Sequence, residues 1–376
     1  MSKKICYLVE DGRFSGPIVQ IINIYSNLKE NFDQTILFSK FRSEKTIEIL
    51  NKKKLKYIAL DTNILSSHPL SLINYIVNFF FSFRKILSII KKEKFELAFV
   101  NGSSQFKFLI ICWLLKIKII WCINDAYSNK LLKFIISIFS IFPDHIVFVS
   151  KNSKKFYLNS IFFKKKNFDI IQSSHNFKNS VNESLKKNTF KKDNENLIVG
   201  SLGNISPIKN FNFMIDIACL AKKNNQNITF VNAGAILSSQ KRYYEKLKKR
   251  LNENDLNNVI FKDFVEDTKS FYKMIDIYAC YSKSEASPTS IWEAMSFGKP
   301  IISTNVGDLK ELNIENSFGY IIDEFNKSLF YKKIIEMKNN KPLFESFSNS
   351  SYSHSINFSA DKVSLEYLRI FNFFLK

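Results

Sequence analysis

The sequence predicts an α/β protein built from two doubly wound, Rossmann-like parallel-sheet domains facing a cleft. Three observations carry this. Short apolar runs of strand length alternate with helix-periodic segments from one end to the other. Several of those runs lead directly into a glycine-bearing loop. The rhythm breaks once, at Asn176–Glu195, where Asn, Lys and Ser dominate. A length of 376 residues suits two cores better than one. The expected division is 1–175 as the first domain, 176–196 as a linker, 197–358 as the second domain, and 359–376 as a terminal helix with the first domain as its candidate packing partner.

The elements follow in order. Lys4–Val9 reads as a buried strand, Glu10–Pro17 as a polar loop with two glycines, and Ile18–Leu28 as a helix. Gln34–Phe38, Phe95–Val100, Ile117–Ile123 and Asp144–Ser150 read as strands, the last followed by a helix at Lys151–Leu158. After the polar stretch come strand Leu197–Leu202, helix Phe211–Lys223, strand Ile228–Ala233, helix Tyr243–Asn252 and strand Val259–Phe261. A helix starts at Phe271–Ile275, and strand Ile277–Tyr281 follows. Helix Ser290–Phe297, strands Pro300–Ser303 and Gly319–Ile322, and helix Ala360–Phe374 complete the series. Uninterrupted apolar strands alternating with helices imply parallel sheets covered on both faces. Such sheets bind ligands beyond the carboxyl ends of their strands.

The formal net charge is +21, which makes polyanions and anionic surfaces candidate partners. Only six of the 55 basic residues are arginine, whereas base-reading proteins lean on arginine for bidentate contacts. Nucleic acid is therefore not an expected partner, and an anionic membrane surface is. The five cysteines and four histidines are scattered, with no CxxC and no metal-ligand spacing, which points to a reduced compartment and no structural zinc. The first nine residues run straight into a strand pattern and do not read as a signal peptide. Three apolar stretches, Leu70–Phe83, Phe108–Ile123 and Leu131–Phe142, are broken by polar or charged residues before about 20 uncharged positions accumulate. Buried helices or strands account for them, with a helix lying in a headgroup layer as the alternative. A cytoplasmic protein, peripheral at the inner membrane face, is the expectation.

Two segments carry chemistry. Gly203-Asn204-Ile205-Ser206-Pro207-Ile208-Lys209 follows a strand, so the glycine supplies a turn and the lysine a cation suited to a diphosphate. The competing reading is one solvated lysine among 49. The second segment is Glu285-Ala286-Ser287-Pro288-Thr289-Ser290-Ile291-Trp292-Glu293, with two glutamates and seven residues between them. Pro288-Thr289-Ser290 should open a helix whose free amides and dipole favour an anion. Glu293 would lie in its first turn, able to accept hydrogen bonds from a ribose diol, while Glu285 reaches a sugar. Against this, Ser290 and Glu293 have capping-box spacing, and a first-turn glutamate needs no ligand.

The run continues as Ala294-Met295-Ser296-Phe297-Gly298-Lys299-Pro300 and through Val306-Gly307-Asp308, with Gly203 to Lys209 and Val265-Glu266-Asp267 upstream in order. Over roughly 200–322 this resembles the retaining glycosyltransferases of family 4, which have the GT-B fold. Weaker likeness lies in the Gly12/Gly16 loop, Asn124-Asp125 and Val147–Ser150. The resemblance implies two catalytic residues, Lys209 on the donor diphosphate and Glu285 on the transferred sugar. It implies donor contacts from Gly203 and Asn204, from Phe264 and Val265 near the base, from Ser287, Pro288, Thr289 and Ser290 around phosphate, and from Glu293 on the ribose. Gly16 would close over the phosphates. Arg13, Asn124 and Asp125 would face the first domain's side of the cleft. That domain would take the acceptor, and the second the nucleotide sugar.

The chain departs from the family where Asn204 replaces a usual arginine, removing one of two expected cations; Arg13 is a candidate substitute. Ala286 and Asp308 stand at common glycine positions, and Asn124-Asp125 where a His-Asp pair is common. No two aspartates are separated by a single residue, so the DxD metal motif of the other main glycosyltransferase fold is missing, and no metal or other cofactor is expected. The expected reaction is transfer of a sugar, with retained configuration, from a nucleotide sugar to a glycan or lipid-linked acceptor in bacterial surface polysaccharide synthesis. A nucleotide-sugar epimerase of the same fold and a non-catalytic nucleotide or polyanion binder are the alternatives.

Overall fold

The structure is a computed structural model and describes residues 2–62, 77–126, 129–158, 160, 162–163, 166–177 and 196–376. Residues 70–76 of the first apolar stretch and 178–195 of the expected linker lie outside the described residues. The chain divides into two compact units, Met1–Ser174 with Ala360–Lys376, and His175–Ser359.

In the first unit, strands and helices alternate as β1 (Lys4–Val9), α1 (Gly16–Leu28), β2 (Asp33–Ser39), α2 (Glu44–Lys52), β3 (Tyr57–Leu60), α3 (Phe79–Glu93), β4 (Leu97–Asn101), α4 (Phe106–Leu114), β5 (Lys118–Ile123), α5 (Lys130–Phe139), β6 (His145–Phe148), α6 (Lys151–Leu158) and β7 (Phe168–Ile170). Among the described residues these strands form one parallel sheet of seven, ordered β3-β2-β1-β4-β5-β6-β7. The central strands are buried along nearly their whole length, as a sheet covered on both faces requires. Cys6, Leu8, Ala98, Val100 and Trp121 join one core cluster with Ile86 and Ile90 of α3 and Phe108 of α4. Tyr7 and Phe99 instead meet Phe371 of the chain's last helix, at ring separations of 6.3 and 6.0 Å. That helix packs beside α1, where Gln20 Nε2 donates to Tyr367 Oη at 3.0 Å.

The second unit contains β8 (Leu197–Leu202), α7 (Phe211–Lys223), β9 (Ile228–Ala233), α8 (Lys241–Glu253), β10 (Val259–Lys262), α9 (Thr268–Met274), β11 (Ile277–Cys280), α10 (Thr289–Ser296), β12 (Ile301–Thr304), α11 (Leu309–Asn316), β13 (Gly319–Ile322), α12 (Lys327–Asn339) and α13 (Lys341–Ser355); the last helix, α14, is Ala360–Phe374. Among the described residues its parallel sheet has six strands, ordered β10-β9-β8-β11-β12-β13. Both sheets reverse direction once, between β1 and β4 and between β8 and β11. Successive crossovers leave opposite faces at such a point, so the loops there splay apart and open a crevice for ligands.

Two apolar stretches turn out to be ordinary packing elements. Phe108–Ile123 divides into the end of α4 and β5, with Lys116 left-handed at φ 57° between them. Most of Leu131–Phe142 is α5, capped by Asn129, whose side chain accepts from the Leu132 amide at 2.7 Å. No helix among the described residues is long and apolar enough to cross a membrane.

Candidate functional site

The two expected catalytic residues come from loops at the second sheet's reversal point. The loop after β8 turns at Gly203, buries Ile205 completely, and closes with Lys209 N donating to Ser206 O at 3.1 Å. Gly234, after β9, is pressed against this turn: a Cβ there would lie 2.1 Å from Gly203 O. The loop after β11 lies alongside, with Lys283 N donating to Ile208 O at 2.8 Å. These constraints bring Lys209 Nζ to 2.6 Å from Glu285 Oε1. Ser282 Oγ donates to the same oxygen at 2.7 Å, and Thr304 Oγ1, from β12, fixes the Ser282 carbonyl at 2.6 Å. Burial disfavours the Lys209 ammonium, but the charge of Glu285 and its hydrogen bond outweigh it and raise the pKa. Lys209 is thus held as an ammonium against Glu285, and both side chains are partly open to solvent. Asn204 is exposed beside the same turn.

Pro288 is the N-cap of α10 and has no N–H to leave unsatisfied. Its carbonyl takes the Ile291 amide at 2.9 Å, so the amides of Thr289 and Ser290 have no helical carbonyl behind them. The Ala286–Pro288 segment is held from two sides. Trp292 Nε1 donates to Ser287 Oγ at 3.2 Å while its ring stacks on Phe358 at 3.9 Å. Gly307, at φ +57°, allows close approach on the other side, since a Cβ there would sit 2.7 Å from Ala286 O.

Glu293 departs from the expectation. It is not in the first turn of α10, and Ser290 is not a cap. The helix starts one residue early, at Thr289, which moves Glu293 to the fifth helical position and rules out the capping-box geometry. Ser290 Oγ instead accepts from Tyr278 Oη at 2.7 Å, and Glu293 Oε2 accepts from Tyr272 Oη at 2.7 Å. Burial pushes the Glu293 carboxyl up to about 7, partly offset by that hydrogen bond. Phe264, 47% exposed, and half-buried Val265 follow β10 at the sheet's edge. Sequence reasoning missed Tyr272, Tyr278, Ser282, Trp292 and Thr304; the aromatic residues and Thr304 sit in strands and helices where they read as packing, and Ser282 reads as one more small loop residue.

In the first unit, the Glu10–Ser15 loop follows β1 at that sheet's reversal point. A buried ion pair between Lys107 Nζ and Glu10 Oε1, 3.1 Å, and the Gln105 side chain on the Glu10 amide, 2.7 Å, tie the loop to the start of α4. Arg13 is engaged by Asp11, its Nε lying 2.9 Å from both carboxylate oxygens. Gly16 opens α1 and is exposed. Asn124 Nδ2 donates to Asn101 Oδ1 at 3.2 Å. Asp125 accepts from the hydroxyls of Ser103 and Tyr157; burial raises its pKa and these bonds pull it back.

Comparison with known proteins shows what the chain as a whole is similar to. Residues 182–354 match the family described as Glycosyl transferases group 1. The O-antigen biosynthesis glycosyltransferase WclY of Escherichia coli is 22% identical over 328 residues, covering 82% of each chain. The crystal structure of Anabaena Alr3699/HepE, in complex with UDP and glucose, superposes with a TM-score of 0.82 at 16% identity, covering 99% of this chain and 100% of that one. A glycosyltransferase from Rickettsia africae superposes with a TM-score of 0.78 at 20% identity, over 100% and 99% of the two chains. With its two Rossmann-like units, its matched segment spanning most of the second, and glycosyltransferases as its relatives, this chain is a glycosyltransferase of GT-B fold.

Proposed function

We propose that the chain transfers a hexose-type sugar, with retained anomeric configuration, from a nucleoside diphosphate sugar to a glycan or lipid-linked acceptor of a bacterial surface polysaccharide. The observation that carries this reading is the Lys209–Glu285 pair, 2.6 Å apart at the sheet's reversal point, together with the open helix start at Thr289. An ammonium and free amides suit a diphosphate, and a carboxylate suits sugar hydroxyls. Lys209 leaves its partner in part to neutralise the diphosphate; Glu285, still held by Ser282, accepts from the sugar. In the transfer, the bond from the anomeric carbon to the phosphate oxygen breaks and a bond to the acceptor oxygen forms on the same face. The acceptor's proton passes to the departing phosphate. Glu293 accepts from the ribose, and Phe264 and Val265 flank the base. No resident metal or cofactor is part of this reading.

Three further points support the acceptor side. WclY is named for O-antigen synthesis. The net charge of +21 favours an anionic surface. The exposed face of α3 combines Phe80 and Phe81, 75% and 78% exposed, with exposed Arg84, Lys85, Lys91 and Lys92. The working place of the protein is then the inner face of the membrane, without insertion across it. A thermal-shift panel of UDP-, GDP- and ADP-sugars tests the reading, since a donor at about 100 times its Kd adds roughly 2.7 kcal/mol. One nucleotide series should raise the melting temperature and then support transfer to a lipid-linked glycan. Conversion of that donor without any acceptor would identify an epimerase instead. Steeply salt-dependent binding to any polyanion, with no nucleotide response, would identify a binding protein.

A further inference from the structure

Two buried tyrosines lie beneath α10 and are not required by the chemistry above. Tyr272, on α9, is fully buried and Tyr278, on β11, is 2% exposed. Tyr272 Oη is 2.7 Å from Glu293 Oε2 and 3.2 Å from the Ser290 carbonyl. Tyr278 Oη donates to Ser290 Oγ at 2.7 Å and receives the Leu202 amide at 3.3 Å. Leu202 is the residue before Gly203. One aromatic pair therefore joins the end of β8, the first turn of α10 and the Glu293 carboxyl. The Tyr272 ring is locked by Phe297, stacked at 5.4 Å, and by Phe177, edge-on at 6.1 Å. A hydroxyl on so fixed a ring has little freedom to follow its acceptor, so it sets where the acceptor goes.

We propose that Tyr272 is a positioning residue for nucleotide binding, whose hydroxyl holds the Glu293 carboxylate oriented to accept the two hydroxyls of a ribose, while Tyr278 pins the same helix turn to the end of β8. The proposal rests on the reading that Glu293 binds ribose. A carboxylate offers about four lone-pair directions, so a donor held on Oε2 leaves Oε1 and part of Oε2 for a diol. The bond also favours the ionised carboxyl against the burial that disfavours it. Among the described residues, Tyr272 is the titratable group hydrogen-bonded to Glu293, with Tyr278 coupled to Tyr272 behind it; His354, on the neighbouring α13, stacks on Phe318.

The test is calorimetry of UDP and of GDP, from pH 6 to 9, on the wild type, Tyr272→Phe, Tyr278→Phe and Glu293→Gln. The 2′-deoxy form of the nucleotide that binds is titrated in parallel. Wild-type affinity should rise with pH through the Glu293 titration. Tyr272→Phe keeps the stacked ring, should weaken binding about tenfold at pH 7, and should move that rise to higher pH. Tyr278→Phe should weaken binding and leave the rise where it is. Thermal melts supply a ligand-free readout. A carboxyl whose pKa is raised on folding stabilises the fold at low pH, and that contribution is lost as pH climbs through its folded value. Tyr272→Phe should therefore shift the fall in melting temperature upward in pH. Unchanged affinity and unchanged pH response in Tyr272→Phe, with Glu293→Gln still impaired, would overturn the proposal and leave the ribose reading standing. If Glu293→Gln binds as tightly as wild type and still discriminates against the 2′-deoxy nucleotide, the ribose reading fails and the proposal with it.

Discussion

Lys209 and Glu285 show how much at a single residue depends on its neighbours. Each is polar, partly exposed, and unremarkable in composition, yet a 2.6 Å contact and a serine hydroxyl fix both. Removing one member leaves the other with its charge uncompensated inside a constrained loop pair. Lys209→Ala and Glu285→Gln should each lower kcat/KM for the nucleotide sugar by at least ~10²-fold, the usual loss for one electrostatic group acting in the transition state. Near-wild-type turnover by both variants would refute the assignment. Asp125 is the opposite case, a carboxyl whose partners Ser103 and Tyr157 make it part of the first unit's framework. Asp125→Ala should cost about 1–3 kcal/mol in urea denaturation, because two buried hydroxyls lose their acceptor. A cost below a few tenths of a kcal/mol would show that water takes its place.

At the scale of elements, the 286–288 segment, proposed to face the donor, is clamped between two others. Trp292 reaches back from α10 to Ser287, and the turn at Gly307 lies against Ala286. Gly307→Ala meets both a left-handed φ and a backbone oxygen at 2.7 Å. The conformational part alone is about 1 kcal/mol, and relief of the clash must move the loop. The variant should raise the donor KM several-fold with a smaller change in kcat, measured by initial rates at saturating acceptor. An unchanged KM would mean the loop is not held from that side. The start of α10 shows where spacing misleads. Ser290 and Glu293 have the spacing of a capping box, but the Ser290 hydroxyl is taken by Tyr278, from β11, which ends at Cys280 before the loop that leads into α10. A cap is a local competition, and here a tertiary hydrogen bond wins it.

For the whole molecule, the relevant quantities are charge and exposed apolar area. The net charge of +21 combines with an α3 face on which Phe80 and Phe81 precede Arg84, Lys85, Lys91 and Lys92. Basic groups near an anionic surface contribute about 1 kcal/mol each, and inserted aromatic rings add area-dependent affinity. The protein should co-sediment with vesicles containing anionic phospholipid and not with purely zwitterionic ones, and more weakly as salt rises. Phe80→Ser with Phe81→Ser should reduce binding about tenfold while leaving transfer to a water-soluble acceptor analogue unaffected. Equal binding to both vesicle types would remove the membrane from the proposed function.

The strand and helix series was written in the sequence because burial on both faces of a parallel sheet demands uninterrupted apolar runs. Lys4–Val9, Leu197–Leu202, Phe211–Lys223, Ile228–Ala233 and Gly319–Ile322 fall where the pattern set them. Short or half-polar elements escaped. Tyr57–Leu60 is a four-residue edge strand, and α11 to α13 mix polar and apolar positions too evenly to show a clear face. Candidate residues were legible as types at spacings, Lys209 after one strand and Glu285 with Glu293 around a helix start. Their arrangement was not, since no periodicity encodes that β8 and β11 are neighbours. Nor could any local rule find Tyr272 and Tyr278. In sequence they are two more buried aromatics; only the packed sheet brings their hydroxyls to Glu293 and Ser290. Element identity follows from what each segment must bury, which is local, whereas site geometry follows from which segments meet, and only tertiary packing decides that.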